Sequence, residues 1–64
     1  MNFYFTFGFN SPHNGKYVRV NANSWSCAHN KIMERYDHYQ YQYDEEEFSK
    51  ILMQYTNLEL LEEL

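Results

Sequence analysis

The chain has 64 residues, a net charge of −4, one cysteine and an aromatic content of 20%. A single core of this size supplies only about 3–5 kcal/mol of net stability, so we expect one compact domain over residues 1–64. The lone Cys27 excludes an internal disulfide and favours a reducing, cytoplasmic setting. No apolar run reaches the roughly 20 residues that cross a bilayer, so no membrane partner is expected.

Charge is divided unevenly along the chain. Residues 1–33 contain three bases and no Asp or Glu, whereas residues 34–64 hold all nine acids against two bases. Such asymmetry between halves points to interaction with another molecule. A run of exposed acids also occurs as ordinary solvated surface, so the pattern by itself leaves both interpretations open.

The first elements are two strands joined by a long turn. Phe3, Phe5, Phe7 and Phe9 occupy alternate positions, which predicts a strand with all four Phe on one buried face. Residues 10–15 have the composition of a turn. Residues 16–22 alternate again and complete a hairpin around that loop.

A helix follows over about residues 24–37. Its apolar side chains recur at three- and four-residue spacing, which is typical of one buried helical stripe. Asn23 or Ser24 is expected to be its N-cap. The stripe consists of Trp25, Ala28, Ile32 and Tyr36, with Met33 alongside.

The second half begins with a short strand in which Tyr39, Tyr41 and Tyr43 alternate with polar residues. Asp44 and Glu47 then have the spacing of a capping box, which predicts the start of a second helix. The residues expected on the buried stripe of that helix are Phe48, Ile51, Leu52 and Tyr55.

A last short helix is predicted from leucines spaced three apart, with Thr56 or Asn57 as its cap and Leu58, Leu61 and Leu64 on one face. The element order is then β-β-α-β-α-α. We expect an α+β fold in which a three-stranded antiparallel sheet, in the order 2-1-3, has its helices packed on the Phe face.

Several kinds of chemistry are disfavoured by the sequence. Cys27 and His29 do not have the spacing of a zinc site, so no metal is expected, and we expect a buried thiol and solvated histidines. The chain offers little room for a substrate cleft, so no enzymatic activity and no cofactor are expected. Too few bases are present for direct binding of nucleic acid.

The acidic half favours a protein partner that carries a basic groove. Its acids would form a negative surface with neighbouring tyrosines as aromatic anchors. The residues predicted to bind the partner are Tyr41, Tyr43, Asp44, Glu45, Glu46, Glu47, Glu59, Glu62 and Glu63.

The hairpin loop offers an alternative site. Polar donors gather there without a nearby acid and could hold an anion or a small nucleotide, although an ordinary turn has the same composition. The residues of this alternative are Asn10, His13, Asn14, Lys16 and Arg19.

The chain also resembles small accessory proteins encoded by bacteriophages. The elements that carry the resemblance are Phe5-Thr6-Phe7-Gly8, Pro12, Tyr17-Val18, Met33 to Tyr36, and Tyr43-Asp44-Glu45-Glu46-Glu47-Phe48. The class includes inhibitors of host defence such as anti-CRISPR proteins, which act by stoichiometric binding, and proteins that sequester nucleotide signals. The resemblance implies that kind of role and assigns no individual residue.

The leading hypothesis is therefore a non-enzymatic phage antagonist that binds a host protein through an acidic, aromatic surface. The alternatives are a binder of small ligands or nucleotide signals that uses the loop and Arg19, and an ancillary structural subunit. A homo-oligomer is compatible with each of them.

Overall fold

A computed structural model describes residues 1–55 and 57–64 of the chain. It confirms the α+β class. Among the described residues there are two helices and four strands: β1 (Asn2–Thr6), β2 (Lys16–Asn21), α1 (Trp25–Tyr36), β3 (Tyr41–Asp44), α2 (Glu45–Gln54) and β4 (Glu59–Glu63).

The described strands form one mixed sheet in the order β3-β1-β2-β4. Strand β1 is antiparallel to both β2 and β3, whereas β4 runs parallel to β2. The predicted three-stranded antiparallel sheet in the order 2-1-3 is therefore wrong, because a fourth strand extends it beyond β2.

The fourth strand replaces the predicted last helix. Leu58, Leu61 and Leu64 have helical spacing, but residues 59–63 pair instead with the edge of β2, and a register shift beside Tyr17 and Val18 breaks their alternation. Leu61 and Leu64 still reach the core. The alternative cap Thr56 lies outside the described residues.

One face of β1 carries the phenylalanines and is covered by α1. Phe3 and Phe5 lie opposite Val20 and Val18 of β2, and all four side chains are fully buried. Ile32 of α1 belongs to the same cluster. The alternation of the first strand thus forms the main core, as the pattern predicts.

The other face of β1 is covered by α2. Tyr4 projects to this side because side chains alternate along a strand. The Phe48 ring stacks on the Tyr4 ring with 4.4 Å between centroids and also lies 4.8 Å from the Tyr17 ring. The prediction that both helices lie on the Phe face is wrong, since Tyr4 is apolar enough to need a cover of its own.

The predicted stripe of α2 is only partly buried. Phe48 is the one buried residue of this helix, all of which the structure describes. Ile51 is half-buried, while Leu52 and Tyr55 are 38% and 55% exposed. The aromatic contact of Phe48 is therefore the principal anchor of α2.

Phe9 departs most from the sequence prediction, because its side chain is 94% exposed. Strand β1 ends at Thr6, and the Ser11 N–H donates to the Gly8 carbonyl at 3.0 Å, which turns the chain before Phe9 can join the Phe face. The alternation of residues 3–9 thus continues in the sequence beyond the end of the strand.

The predicted local signals at the helix starts are confirmed. Ser24 caps α1 by accepting the Cys27 N–H, and Asp44 and Glu47 form a reciprocal capping box at α2. Gly15 has φ of 87°, a conformation that glycine adopts without a side-chain clash.

Truncating Phe48 should loosen α2. We expect Phe48→Leu to lower the free energy of unfolding by about 1–2 kcal/mol, because it removes the stacked ring and leaves a small cavity. Urea denaturation followed by circular dichroism measures the change.

Met53→Ala is the matched control on the same helix. Met53 is 82% exposed, so its truncation should change the unfolding free energy by less than about 0.5 kcal/mol. Equal losses for the two variants would contradict the anchoring role of Phe48.

Candidate functional site

The three acids predicted near the end of the chain lie in ion pairs with bases elsewhere in the chain. Such exposed pairs each contribute about 0–1 kcal/mol. Their main effect is to balance much of the acidic charge locally. The pairs are Lys16–Glu59 at 3.2 Å, Arg35–Glu62 at 3.0 Å, and Arg19–Glu63.

Two further predicted acids have a local role at the start of α2. Asp44 Oδ1 accepts the Glu47 N–H at 2.7 Å, and Glu47 Oε1 accepts the Asp44 N–H at 3.0 Å. Within the described part of the chain, Glu45 and Glu46 take part in no ion pair, and both are exposed. The acidic surface proposed from the sequence is thereby reduced to this first turn of α2.

The two predicted tyrosines lie beside that turn. Tyr43 is opposite Tyr4 and Tyr41 is opposite Thr6, so both face the side of the sheet that α2 covers. Burial raises the pKa of Tyr43, a hydrogen bond with Thr6 lowers it, and the charges of Tyr41, Tyr55 and Glu47 raise it further. Tyr43 directly precedes Asp44, the N-cap of α2, so it adjoins the acidic turn.

Tyr41 and Tyr43 also line a groove of about 510 Å³ between the hairpin loop and the C-terminal end of α2. We call it the aromatic groove. Its apolar lining includes Phe9, Tyr41, Tyr43, Ile51, Tyr55 and Leu58.

Among the residues that the structure describes, none that lines the aromatic groove is charged. Its polar lining includes Asn14, Gln40 and Asn57, whose amides both donate and accept hydrogen bonds. Phe9 stands at its edge and also lines a neighbouring cleft of about 540 Å³. The groove thus combines apolar side chains, neutral hydrogen-bonding groups and the exposed ring of Phe9.

The alternative loop site is not brought together. Lys16 and Arg19 project from opposite faces of β2, because they are three residues apart on a strand, and each is paired with an acid of β4. His13 packs edge-on against Phe7, with 5.2 Å between ring centroids. Asn10 and Asn14 line different hollows.

A hydrogen-bonded network joins the hairpin loop to the end of α1. The Tyr36 carbonyl can only accept, so it takes the Nδ1–H of His38 at 2.9 Å. His38 Nε2 is then free to accept the Ser11 hydroxyl, also at 2.9 Å. Because Ser11 Oγ accepts the His13 N–H as well, the network fixes the loop from which Phe9 projects.

Cys27 is exposed in the first turn of α1, so the prediction of a buried thiol is wrong. Its N–H is used in the cap. His29 contacts the Tyr39 hydroxyl at 2.7 Å.

In residues 1–55 and 57–64, no group of three or more His, Cys, Asp or Glu side chains could hold a metal ion. No helix in those residues is long and apolar enough to cross a membrane.

Tyr36 links α1 to β4. Its hydroxyl donates to Glu62 Oε1, and Arg35 pairs with the same carboxylate. Burial, then the hydrogen bond and charge of Glu62, raise the pKa of Tyr36 to about 12. The hydrogen bonds from Tyr36 and Arg35 lower the pKa of Glu62. This contact holds the last strand to the helix on the Phe face.

Comparison with protein-family models, with curated proteins and with solved structures finds no match to this chain. Because no similar protein suggests a function, the functional conclusion is drawn from the aromatic groove and the acidic first turn of α2. Phe9 and Tyr55, which sequence reasoning assigned to buried faces, belong to this groove. The turn-forming residues Asn10, Ser11 and Pro12 directly after Phe9 are the sequence signal that the strand ends before Phe9.

The Tyr36–Glu62 contact should make stability sensitive to alkaline pH. The folded state favours neutral Tyr36, so its contribution is present below the ordinary pKa of 10.0 and is lost as pH rises through about 12. We expect Glu62→Gln to bring the folded pKa closer to 10.0 and to lose less stability across that window. Urea unfolding at neutral and alkaline pH measures the difference.

Glu59→Gln provides the control, since Glu59 pairs with Lys16 and not with a tyrosine. The stability that Glu59→Gln loses at alkaline pH should match the stability that the wild type loses. Indistinguishable alkaline losses for the wild type and Glu62→Gln would show that Glu62 does not hold the Tyr36 proton.

Proposed function

We propose that this chain is a small non-enzymatic binding protein, of the kind that bacteriophages use against host proteins, and that the aromatic groove is its contact surface. The observation that carries the proposal is Phe9. Its ring is 94% exposed at the edge of a groove that contains three tyrosines. Clustered exposed apolar surface of this kind marks interaction sites.

The energetic argument concerns what Phe9 does in the isolated chain. Burying a Phe side chain stabilises a protein by about 1.5–3 kcal/mol, yet Phe9 contributes almost none of this to the fold. A partner that covers the ring would gain that stabilisation. Aromatic side chains are also enriched among the residues that dominate binding energy.

The acidic first turn of α2 supplies a second, electrostatic contribution. Glu45 and Glu46 are exposed there, and Tyr43, which lines the groove, directly precedes the N-cap of α2. A basic host protein would be attracted by the turn and anchored by the aromatic rings. The other predicted acids contribute less, because bases or backbone N–H groups of the same chain engage them.

Co-purification tests the proposal. The tagged wild type, Phe9→Ala and Met53→Ala are each expressed in the host cells. The proteins that co-purify with each of them are then compared. We expect at least one protein to accompany the wild type and Met53→Ala and to be lost with Phe9→Ala. The reason is that Phe9 lines the groove, whereas Met53 does not.

A third variant, Glu45→Lys combined with Glu46→Lys, tests the acidic turn. It should weaken capture of a basic host partner most strongly at low ionic strength, where charge attraction is least screened. Identical sets of co-purifying proteins for the wild type and Phe9→Ala would contradict the role of the groove.

A further inference from the structure

We propose that the side chain of Asn14 deamidates spontaneously, through attack by the backbone nitrogen of Gly15, and that the resulting carboxylate weakens binding in the aromatic groove. The juxtaposition that carries the inference is an exposed Asn–Gly pair in the lining of that groove. The modification is a property of the hairpin loop alone, whereas its effect on binding rests on the proposed function of the groove.

The reaction needs no reactant other than water. The Gly15 nitrogen attacks Cγ of Asn14, a new N–Cγ bond forms, and the side-chain nitrogen leaves as ammonia after taking up the amide proton of Gly15 through solvent. The product is a succinimide ring. Water then opens this ring at either of its two carbonyl carbons, which leaves Asp or isoaspartate at position 14. Asparagine is among the thermolabile residues.

Gly15 gives the attacking nitrogen room. Glycine has no Cβ that would crowd the closing ring. Among the described residues beyond its chain neighbours, no atom lies within 4 Å of the position that a Cβ would take. Within the same part of the chain, the Gly15 N–H donates no backbone hydrogen bond, so its nitrogen gives up no such contact when it attacks.

The Asn14 side chain lies in solvent on a loop that is otherwise held in place. Its backbone N–H donates to the Ser11 carbonyl at 3.2 Å, and residue 14 is exposed. The side-chain amides of Asn2 and Asn21, by contrast, are hydrogen-bonded to each other at 3.1 Å across two paired strands. Asn14 therefore reaches the cyclised geometry without breaking the sheet.

The other asparagines lack this combination. Asn14 is the only asparagine in the chain that is followed by glycine. After Asn10, the N–H of Ser11 is already bonded to the Gly8 carbonyl at 3.0 Å. Asn23 is exposed like Asn14 but precedes a serine, whose side chain crowds the attacking nitrogen. Asn23 thus provides a control within the same molecule.

Conversion places a charge where the groove has none. Asn14 lines the groove with Tyr41, Tyr43 and Tyr55, and the described lining contains no charged side chain. A partner that packs on those rings would remove the new carboxylate from water, which costs free energy unless a cation pairs with it. The chain already carries a net charge of −4, so one more exposed charge adds little to the screened attraction of a basic partner. The net result is weaker binding.

The isoaspartate product also alters the loop. It routes the main chain through the former side chain of Asn14, which lengthens the backbone by one carbon atom. The Gly15 carbonyl accepts the Glu59 N–H at 3.2 Å, and the His13 carbonyl accepts the Lys16 N–H at 3.0 Å. Both hydrogen bonds span the lengthened segment or adjoin it, so they must readjust.

Peptide mapping by mass spectrometry tests the modification. The purified chain is incubated under native conditions at mildly alkaline pH, and a parallel sample is incubated in urea. We expect Asn14 to convert in the native sample well before Asn23, with the mass change of NH₂ to OH and two products that separate by chromatography. Asn14→Gln should show no conversion at position 14, because its longer side chain would have to close a larger ring.

Capture from a host-cell lysate tests the consequence for binding. Tagged wild type should capture less of its partner after the incubation, in proportion to the fraction converted. Asn14→Gln should capture equal amounts before and after the same incubation. Freshly purified Asn14→Asp should bind the partner at least about tenfold more weakly than the fresh wild type, because its carboxylate is covered without a cation.

Three results would overturn the inference. Asn14 could stay intact in the folded chain while it converts in urea, or it could convert no faster than Asn23. Asn14→Asp could also capture the partner as well as the wild type does while Phe9→Ala loses it. If Phe9→Ala captures the partner normally, the proposed function fails, and the peptide map still decides whether Asn14 is modified.

Discussion

The fold depends on β1 carrying aromatic side chains on both of its faces. Phe3 and Phe5 require cover on one side and Tyr4 requires it on the other. With only 64 residues, the chain meets this requirement with one short helix on each face. Each layer is thin, and Phe48, the one buried residue of α2, anchors that helix through ring contacts with Tyr4 and Tyr17. Tyr55, at the C-terminal end of α2, stays 55% exposed, whereas Phe9 is exposed because the chain turns at Gly8.

The charge split along the chain is partly accounted for within the fold. Strand β4 is acidic, and its register places Glu59 and Glu63 opposite Lys16 and Arg19 of β2. Two ion pairs therefore join the two halves of the chain across a parallel strand pair. Acids at the start of α2 also complement the helix dipole. What remains for a partner is a short acidic turn beside a neutral aromatic surface.

Local features of the structure could be predicted from the sequence because their causes are local. The capping box needs only Asp44 and Glu47 at the right spacing, and the turn at Gly15 needs only a residue that tolerates positive φ. These contacts span a few residues, so the chain encodes them directly.

The remaining features depend on contacts between distant segments. The leucines near the end have helical spacing, and only the open edge of β2, with bases in matching positions, makes that segment a strand. The placement of α2 is decided by Tyr4, which a sequence pattern counts as the polar side of β1. Phe9 continues the alternation of the strand although the Gly8 turn has already ended it. Phe9 and Tyr55, which the pattern assigns to buried faces, line the aromatic groove together with Tyr41 and Tyr43. The sequence therefore indicated two of the groove tyrosines but not the groove itself.

The central claim is that β1 is covered on both faces and that Phe9 is packed on neither. Nuclear Overhauser contacts between aromatic rings test this claim most directly. With specifically labelled Phe and Tyr rings, we predict strong contacts of Phe48 with Tyr4 and Tyr17 and of Trp25 with Phe3. Phe9 should show no long-range contact with the Phe core. Contacts of Phe48 with Phe3 or Phe5 would place both helices on one face, and a contact of Phe9 with Val18 would place Phe9 in the core. Either result would contradict the account.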